Sequence, residues 1–198
     1  MAKQADHEIT ARERPLMEAT LRIIGRSGID RVTHRAVATE AGMSLGAVTH
    51  HFATRDILVD AALRFALTRE VGRLQALSLS LQSKAFDVEA WIEELVGWYG
   101  QELKTQPDIH IACYEVFLAA ARSERYRPIV AEWFDTWRQS SELALRAAGS
   151  MSPRAHAELF VSTLIGILLQ QLAIPRRSFR QETRATLLDL VEGLIGKK

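Results

Sequence analysis

Twenty residues near the N-terminus constrain the fold more than any other part of the chain: Thr33-His34-Arg35-Ala36-Val37-Ala38-Thr39-Glu40-Ala41-Gly42-Met43-Ser44-Leu45-Gly46-Ala47-Val48-Thr49-His50-His51-Phe52. Two short helices packed at a steep angle need a small residue at their closest approach, a turn residue that tolerates positive φ, and apolar residues on both inner faces. Ala38, Gly42 and the set Val37, Ala41, Met43 and Val48 occur at those places. Thr33 and Ser44 precede the two helical stretches, where a side-chain oxygen can accept an orphan amide bond. Phe52 closes the segment as a further packing residue. The segment therefore reads as a helix-turn-helix.

The rest of the chain repeats one theme. Apolar residues recur at helical spacing, and the periodic stretches break at Gly, Pro or capping residues. The pattern predicts about nine helices, at 12–26, 34–41, 45–51, 55–80, 88–104, 109–122, 126–148, 153–174 and 180–195, and no strand. The expected fold class is all-α. Ser152 before Pro153 marks a helix start, with the serine as cap and the proline at the first helical position, and Gly149 ends the helix before it. No repeat, low-complexity tract or long linker is present, so a boundary between units has to fall at a shared helix, near Thr54. Residues 1–54 then form a three-helix helix-turn-helix unit with a flexible N-terminal arm. Residues 55–198 form a larger helical unit.

Of the 198 residues, 47% are hydrophobic and 25% charged, enough for a core without covalent staples. The single cysteine, Cys113, excludes an intramolecular disulfide, and the N-terminus lacks a secretory apolar stretch, so the expected location is the cytoplasm. Phe160–Ile174 is interrupted by Ser162, Thr163, Gln170 and Gln171. It reads as a buried helix too short and too polar to span a membrane. Net charge is +1, with eight Lys and Arg against six Asp and Glu in residues 1–55, so pattern rather than charge excess must identify a nucleic-acid partner. Gly42-Met43-Ser44-Leu45-Gly46 matches the G-x-S-x-G of a nucleophile elbow, but the residues before Ser44 are helical where that motif needs a strand. No HExxH, paired ExxH, phosphate loop or dinucleotide fingerprint occurs. No catalytic residue, cofactor or metal is expected.

Thr33 to Leu58 resembles the DNA-binding signature of the TetR family of bacterial transcription regulators. The family's usual ending, an aromatic pair-His-Phe followed by a basic residue, appears here as Thr49-His50-His51-Phe52-Ala53-Thr54-Arg55. Thr49 stands where a phosphate-contacting tyrosine is common, and His50 often has an aromatic counterpart. By motif the resemblance covers about the first quarter of the chain. It implies that the second helix enters the major groove of a palindromic double-stranded operator, with Ser44, Leu45, Gly46, Ala47, Thr49 and His50 against the bases. Arg35 is open to either a guanine or a phosphate contact. Thr33, Ser44 and Arg55 are candidates for phosphate, with capping or surface charge as the competing reading. His51 is expected to close the small unit, whereas His50 faces DNA.

Residues 56–148 hold eleven of the fourteen aromatics, a concentration that suits a cavity between helices, although aromatics at this spacing also serve as plain core. Trp98, Tyr114, Phe117 and Trp133 are the expected lining, with His110 and Cys113 nearby. Residues 153–195 carry a dimer expectation. One stripe runs through Leu159, Ser162, Gly166, Leu169 and Ala173, and a second face through Leu187, Leu188, Val191, Leu194 and Ile195. The expected function is a homodimeric, ligand-responsive repressor, released from its operator when a small apolar or aromatic effector shifts the helix that begins near Thr54. The alternative is a helical interaction adaptor that no longer binds DNA.

Overall fold

Thr10 and Glu13 set where the first helix starts: Glu13 Oε2 accepts from the Thr10 amide at 2.9 Å and from its hydroxyl at 2.8 Å, while the Glu13 amide donates back to Thr10 Oγ1 at 3.3 Å. This reciprocal box satisfies amides that a helix start leaves open. The computed structural model describes residue 10 and residues 12–81 and 86–196, without the side chains of 70, 71 and 74–81. The expected N-terminal arm lies outside the described residues, Thr10 apart.

Among the described residues the chain forms nine α-helices and no strand: α1 Arg14–Ser27, α2 His34–Ala41, α3 Leu45–His51, α4 Arg55–Leu81, α5 Val88–Thr105, α6 Pro107–Arg122, α7 Arg127–Ala147, α8 Pro153–Ala173 and α9 Phe179–Ile195. The all-α expectation holds, with ends displaced by a residue or two. The α6 helix starts at Pro107 rather than at 109 because proline tolerates the first helical position, where its missing amide has no partner to lose. At the end of α7, Gly149 has φ +91°. There the Ser150 amide reaches Leu145 O at 2.9 Å and the Gly149 amide reaches Arg146 O at 3.1 Å, the bond pair of a Schellman stop. Ser152 does not cap α8 as expected. Its backbone, at φ −137° and ψ 60°, leaves the extended conformation a cap needs, and its hydroxyl makes no cap bond. Ser150 Oγ takes the Ser152 amide instead, at 3.3 Å, and pairs with His156 Nδ1 at 2.7 Å.

Two apolar clusters hold the helices together. One joins Leu16 and Ile24 of α1, Val37 of α2 and Val48 of α3 to Leu58 and Leu63 of α4, Val116 of α6 and Trp133 of α7. The other joins Trp91 and Leu95 of α5, Leu145 of α7, Phe160 and Leu164 of α8, and Leu187 and Val191 of α9. The first cluster runs across Thr54 without a break. The first three helices thus rest on α4, α6 and α7 rather than on a core of their own.

The α1 and α6 helices approach closely at Gly25. A Cβ on Gly25 would stand 2.0 Å from the Asp108 carbonyl oxygen, so only glycine lets the two backbones meet here. Arg26 pairs with Asp108 at 2.6 Å and reaches Glu40 of α2 at 3.3 Å, while Arg22 holds Glu40 at 2.7 Å. One cluster of charges therefore ties α6, α1 and α2 together.

The two expected dimer stripes differ. On α9, Leu187 and Val191 are fully buried inside the chain, where the helix packs on α5 and α8, while Leu188, Leu194 and Ile195 of the same face are half-buried. On α8 the stripe lies largely at the surface: Leu159 is 53% and Leu169 48% exposed, and Ser162 and Ala173 are exposed as well. The expectation of a buried helix fails for this side of α8. By length and composition alone α8 is long and apolar enough to cross a membrane, contrary to the sequence expectation, and 28% of its most apolar window is buried. Such a stripe on a surface helix equally suits a partner helix.

Candidate DNA-binding face and ligand cavity

The helix-turn-helix forms through the local chemistry of its caps. Thr33 adopts an extended backbone and its Oγ1 accepts from the Ala36 amide at 3.1 Å. Gly42 takes the left-handed conformation at φ 65°, which lets the Met43 amide reach Ala38 O at 2.9 Å and stops α2. Ser44 then caps α3, its Oγ accepting from the Ala47 amide at 3.1 Å. Val37, Ala38, Val48 and Phe52 are buried, with Ala41 and Met43 packed against them.

With Val48 turned inward, the other side of α3 is open. Ser44, Leu45, Gly46, Thr49 and His50 are exposed and Ala47 is half-buried, so the six residues expected to meet bases share one outward surface. At Gly46 an added Cβ would find only Ser44 Oγ, at 3.9 Å, so nothing among the described residues requires glycine there. The Thr49 hydroxyl donates to its own helix, with Leu45 O and Gly46 O each 3.1 Å away, and keeps only acceptor capacity toward an outside partner. Thr33 and Arg35 are exposed at the start of α2. Arg55 is half-buried and holds a local turn: Nη2 bonds Ile29 O at 2.6 Å and Nε bonds Val32 O at 2.9 Å, which fastens the 3₁₀ turn Ile29–Arg31 to α4. His51 lies 3.6 Å from the buried Glu13 and His34 Nε2 lies 2.7 Å from Phe52 O, so these two histidines close the unit while His50 stays outside.

The aromatic concentration of the larger unit surrounds a cavity of about 170 Å³ walled by α4, α5, α6, α7 and α8. Trp98, Tyr114, Phe117 and Trp133 all line it, as do His110 and Cys113. The α6 contribution has a plain geometric origin: positions 110, 113, 114 and 117 fall on one face of a helix. Sequence reading missed the charged lining, Arg69 and Arg73 of α4 and Glu102 of α5, together with Tyr99 and Trp137. The four-residue spacing of Arg69 from Arg73 and of Trp98 from Glu102 was the available signal.

Polar groups inside this wall are tightly placed. The Arg73 guanidinium lies 3.9 Å from the centroid of the Trp98 ring, a cation–π contact. Glu102 is held below the usual carboxylate range by His110 beside it and by Arg69 and Arg73, against the opposing effect of burial. His110 Nε2 is 3.9 Å from Glu102, beyond hydrogen-bond reach, and Arg69 is 3.7 Å from it. The Tyr114 hydroxyl donates to Ile165 O of α8 at 2.7 Å, and burial raises its pKa far above the ordinary phenol value. His110 Nε2 and Trp133 Nε1 are buried without a hydrogen-bond partner among the described residues.

An open second helix of a helix-turn-helix, carried on a larger helical unit with an aromatic cavity, defines an all-helical DNA-binding regulator class. Two family models match: the one described as bacterial regulatory proteins, tetR family, over residues 16–62, and the tetracyclin repressor-like C-terminal domain over residues 86–197. The regulator BetI of Cronobacter sakazakii is 30% identical over 89% of this chain and 86% of its own length. PksA of Bacillus subtilis is 37% identical over 40% of this chain, and the match spans only 38% of PksA. The crystal structure of the multidrug binding protein EbrR complexed with ethidium is 34% identical, covers 90% of this chain and 98% of its own, and superposes with a TM-score of 0.63. The chain belongs to the TetR family of transcription regulators, a family of regulators and not of enzymes.

Proposed function

We propose that this chain is a homodimeric repressor that leaves a palindromic DNA operator when a small aromatic effector fills the cavity. The observation that carries the reading is that one helix serves both ends. The α6 helix lines the cavity with His110, Cys113, Tyr114 and Phe117, and its Asp108 touches Gly25 of α1, the helix on which α2 packs. Residues 1–54 are the DNA-binding part and residues 55–198 the sensing and pairing part, acting together in the cytoplasm. Ser44, Leu45, Gly46, Ala47, Thr49 and His50 meet base edges, and Thr33 and Arg35 meet the backbone. The aromatic lining supports an aromatic effector, and the EbrR complex with ethidium shows such a molecule bound by a relative. Fluorescence anisotropy on DNA from upstream of the protein's own coding region, beside a scrambled duplex, tests DNA recognition. Tighter binding to the upstream DNA supports it, and no binding to either duplex at low salt opposes it.

The partner surface is assigned to α8, with Ile174 at its end 74% exposed. A twofold dimer through this stripe sets two copies of α3 on successive major grooves. Leu159→Glu combined with Leu169→Glu puts two charges into that interface and none into the core. In sedimentation the wild type is expected at twice the chain mass, and the double variant at the chain mass with unchanged helix content. A variant that stays dimeric contradicts the assignment.

A further inference from the structure

An open concavity of about 570 Å³ lies between α1 and α2, bordered by Ser27, Arg31, Thr33, Arg35, Thr39 and Glu40. Arg31 and Arg35 are both exposed, and neither has an ion-pair partner among the described residues. The one carboxylate on the rim, Glu40, is already engaged: Arg22 bonds it at 2.7 Å and Arg26 reaches it at 3.3 Å. Asp30, next to Arg31 in sequence, is placed instead against Arg55 at 3.7 Å. The Thr33 oxygen accepts from Ala36, so its hydroxyl proton is left to donate outward. Thr39 differs, because its proton goes to Arg35 O at 3.0 Å. The concavity therefore presents two guanidinium groups with the Thr33 and Ser27 hydroxyls and no uncompensated negative charge.

In a helix-turn-helix the second helix enters the groove while the first crosses the DNA backbone, and α2 forms one wall of this concavity. Arginine and hydroxyl donors are the groups that backbone phosphates meet. We propose that the α1–α2 concavity seats a backbone phosphate of the bound DNA between Arg31 and Arg35, so that the contact surface extends past the helix-turn-helix onto the end of α1. The inference rests on the DNA-binding reading above and adds Ser27 and Arg31, which lie outside the motif. It also places a phosphate contact six residues beyond Gly25, close to the junction of α1 with the sensing unit.

A phosphate contact is independent of base sequence, so a random-sequence duplex is a sufficient probe. Binding of the full-length protein is measured by anisotropy over a series of salt concentrations, for wild type, Arg31→Ala, Arg31→Lys and the Arg31→Ala, Arg35→Ala pair. Arg31→Ala is expected to weaken binding several-fold, by the same factor on the random and the upstream duplex, and to lower the salt slope by about one. The paired variant lowers the slope by about two, and Arg31→Lys keeps most of it. An unchanged slope and affinity in Arg31→Ala overturns the inference, and so does a loss confined to the upstream duplex. Failure of the wild type to bind either duplex at low salt overturns the DNA-binding reading itself.

Discussion

Gly25→Ala is expected to lower the melting temperature by roughly 6–12 °C, from an overpacking cost of about 3 kcal/mol and ~2–4 °C per kcal/mol for a domain of this size. The sign is not the usual one. Alanine in a helix interior normally stabilises by up to ~1 kcal/mol relative to glycine. Here the added carbon would stand 2.0 Å from Asp108 O and 2.7 Å from Asp108 C, both backbone atoms that cannot rotate away. The α1 and α6 helices must separate, and the Arg26–Asp108 pair lengthens with them. Gly72→Ala in α4 is the control, because a Cβ there meets nothing within 4 Å among the described residues, and it is expected to leave the melt unchanged or raise it. A Gly25→Ala protein as stable as Gly72→Ala contradicts the close seating of α1 on α6.

Trp133→Ala carries the second large effect, a loss of about 3–5 kcal/mol in urea unfolding, the usual cost of removing a buried aromatic. Trp133 is 3% exposed and packs near Phe117 and Trp137, with ring centroids 6.0 Å and 6.5 Å away. Trp133→Phe is expected to cost less than Trp133→Ala, because it leaves the smaller cavity. It keeps an apolar ring in the wall and removes the indole N–H, which has no partner among the described residues and so gives up no hydrogen bond. Equal losses for the two substitutions contradict the description of Trp133 as a packing residue of the cavity wall.

How far the sequence reveals this structure depends on how local each cause is. The helix-turn-helix follows from caps and a left-handed glycine within a few residues of one another, and the structure forms those bonds at Thr33, Gly42 and Ser44. The α6 wall of the cavity was legible for the same reason, since residues 110, 113, 114 and 117 share a helix face. Arg69, Arg73 and Glu102 were not, because charged side chains at helical spacing read as a solvated face until α6 and α7 close over them. Arg55 illustrates the same limit: the carbonyls of Ile29 and Val32 that hold it lie 26 and 23 residues away. The apolar face of α9 reads identically whether it meets a partner or its own chain. Only the packing of α5 and α8 around Leu187 and Val191 places those two residues in the interior.

Filling the cavity is expected to weaken DNA binding, which is measured as affinity for the upstream DNA with and without a saturating aromatic compound selected by quenching of tryptophan emission. A regulator of this kind requires different ligand affinities in its two states, and a tenfold preference corresponds to about 1.4 kcal/mol of coupling. DNA affinity is expected to be at least tenfold weaker with the compound bound, with an equal loss of compound affinity when DNA is bound. Equal DNA affinities, with the compound shown to occupy the cavity, would contradict this expectation.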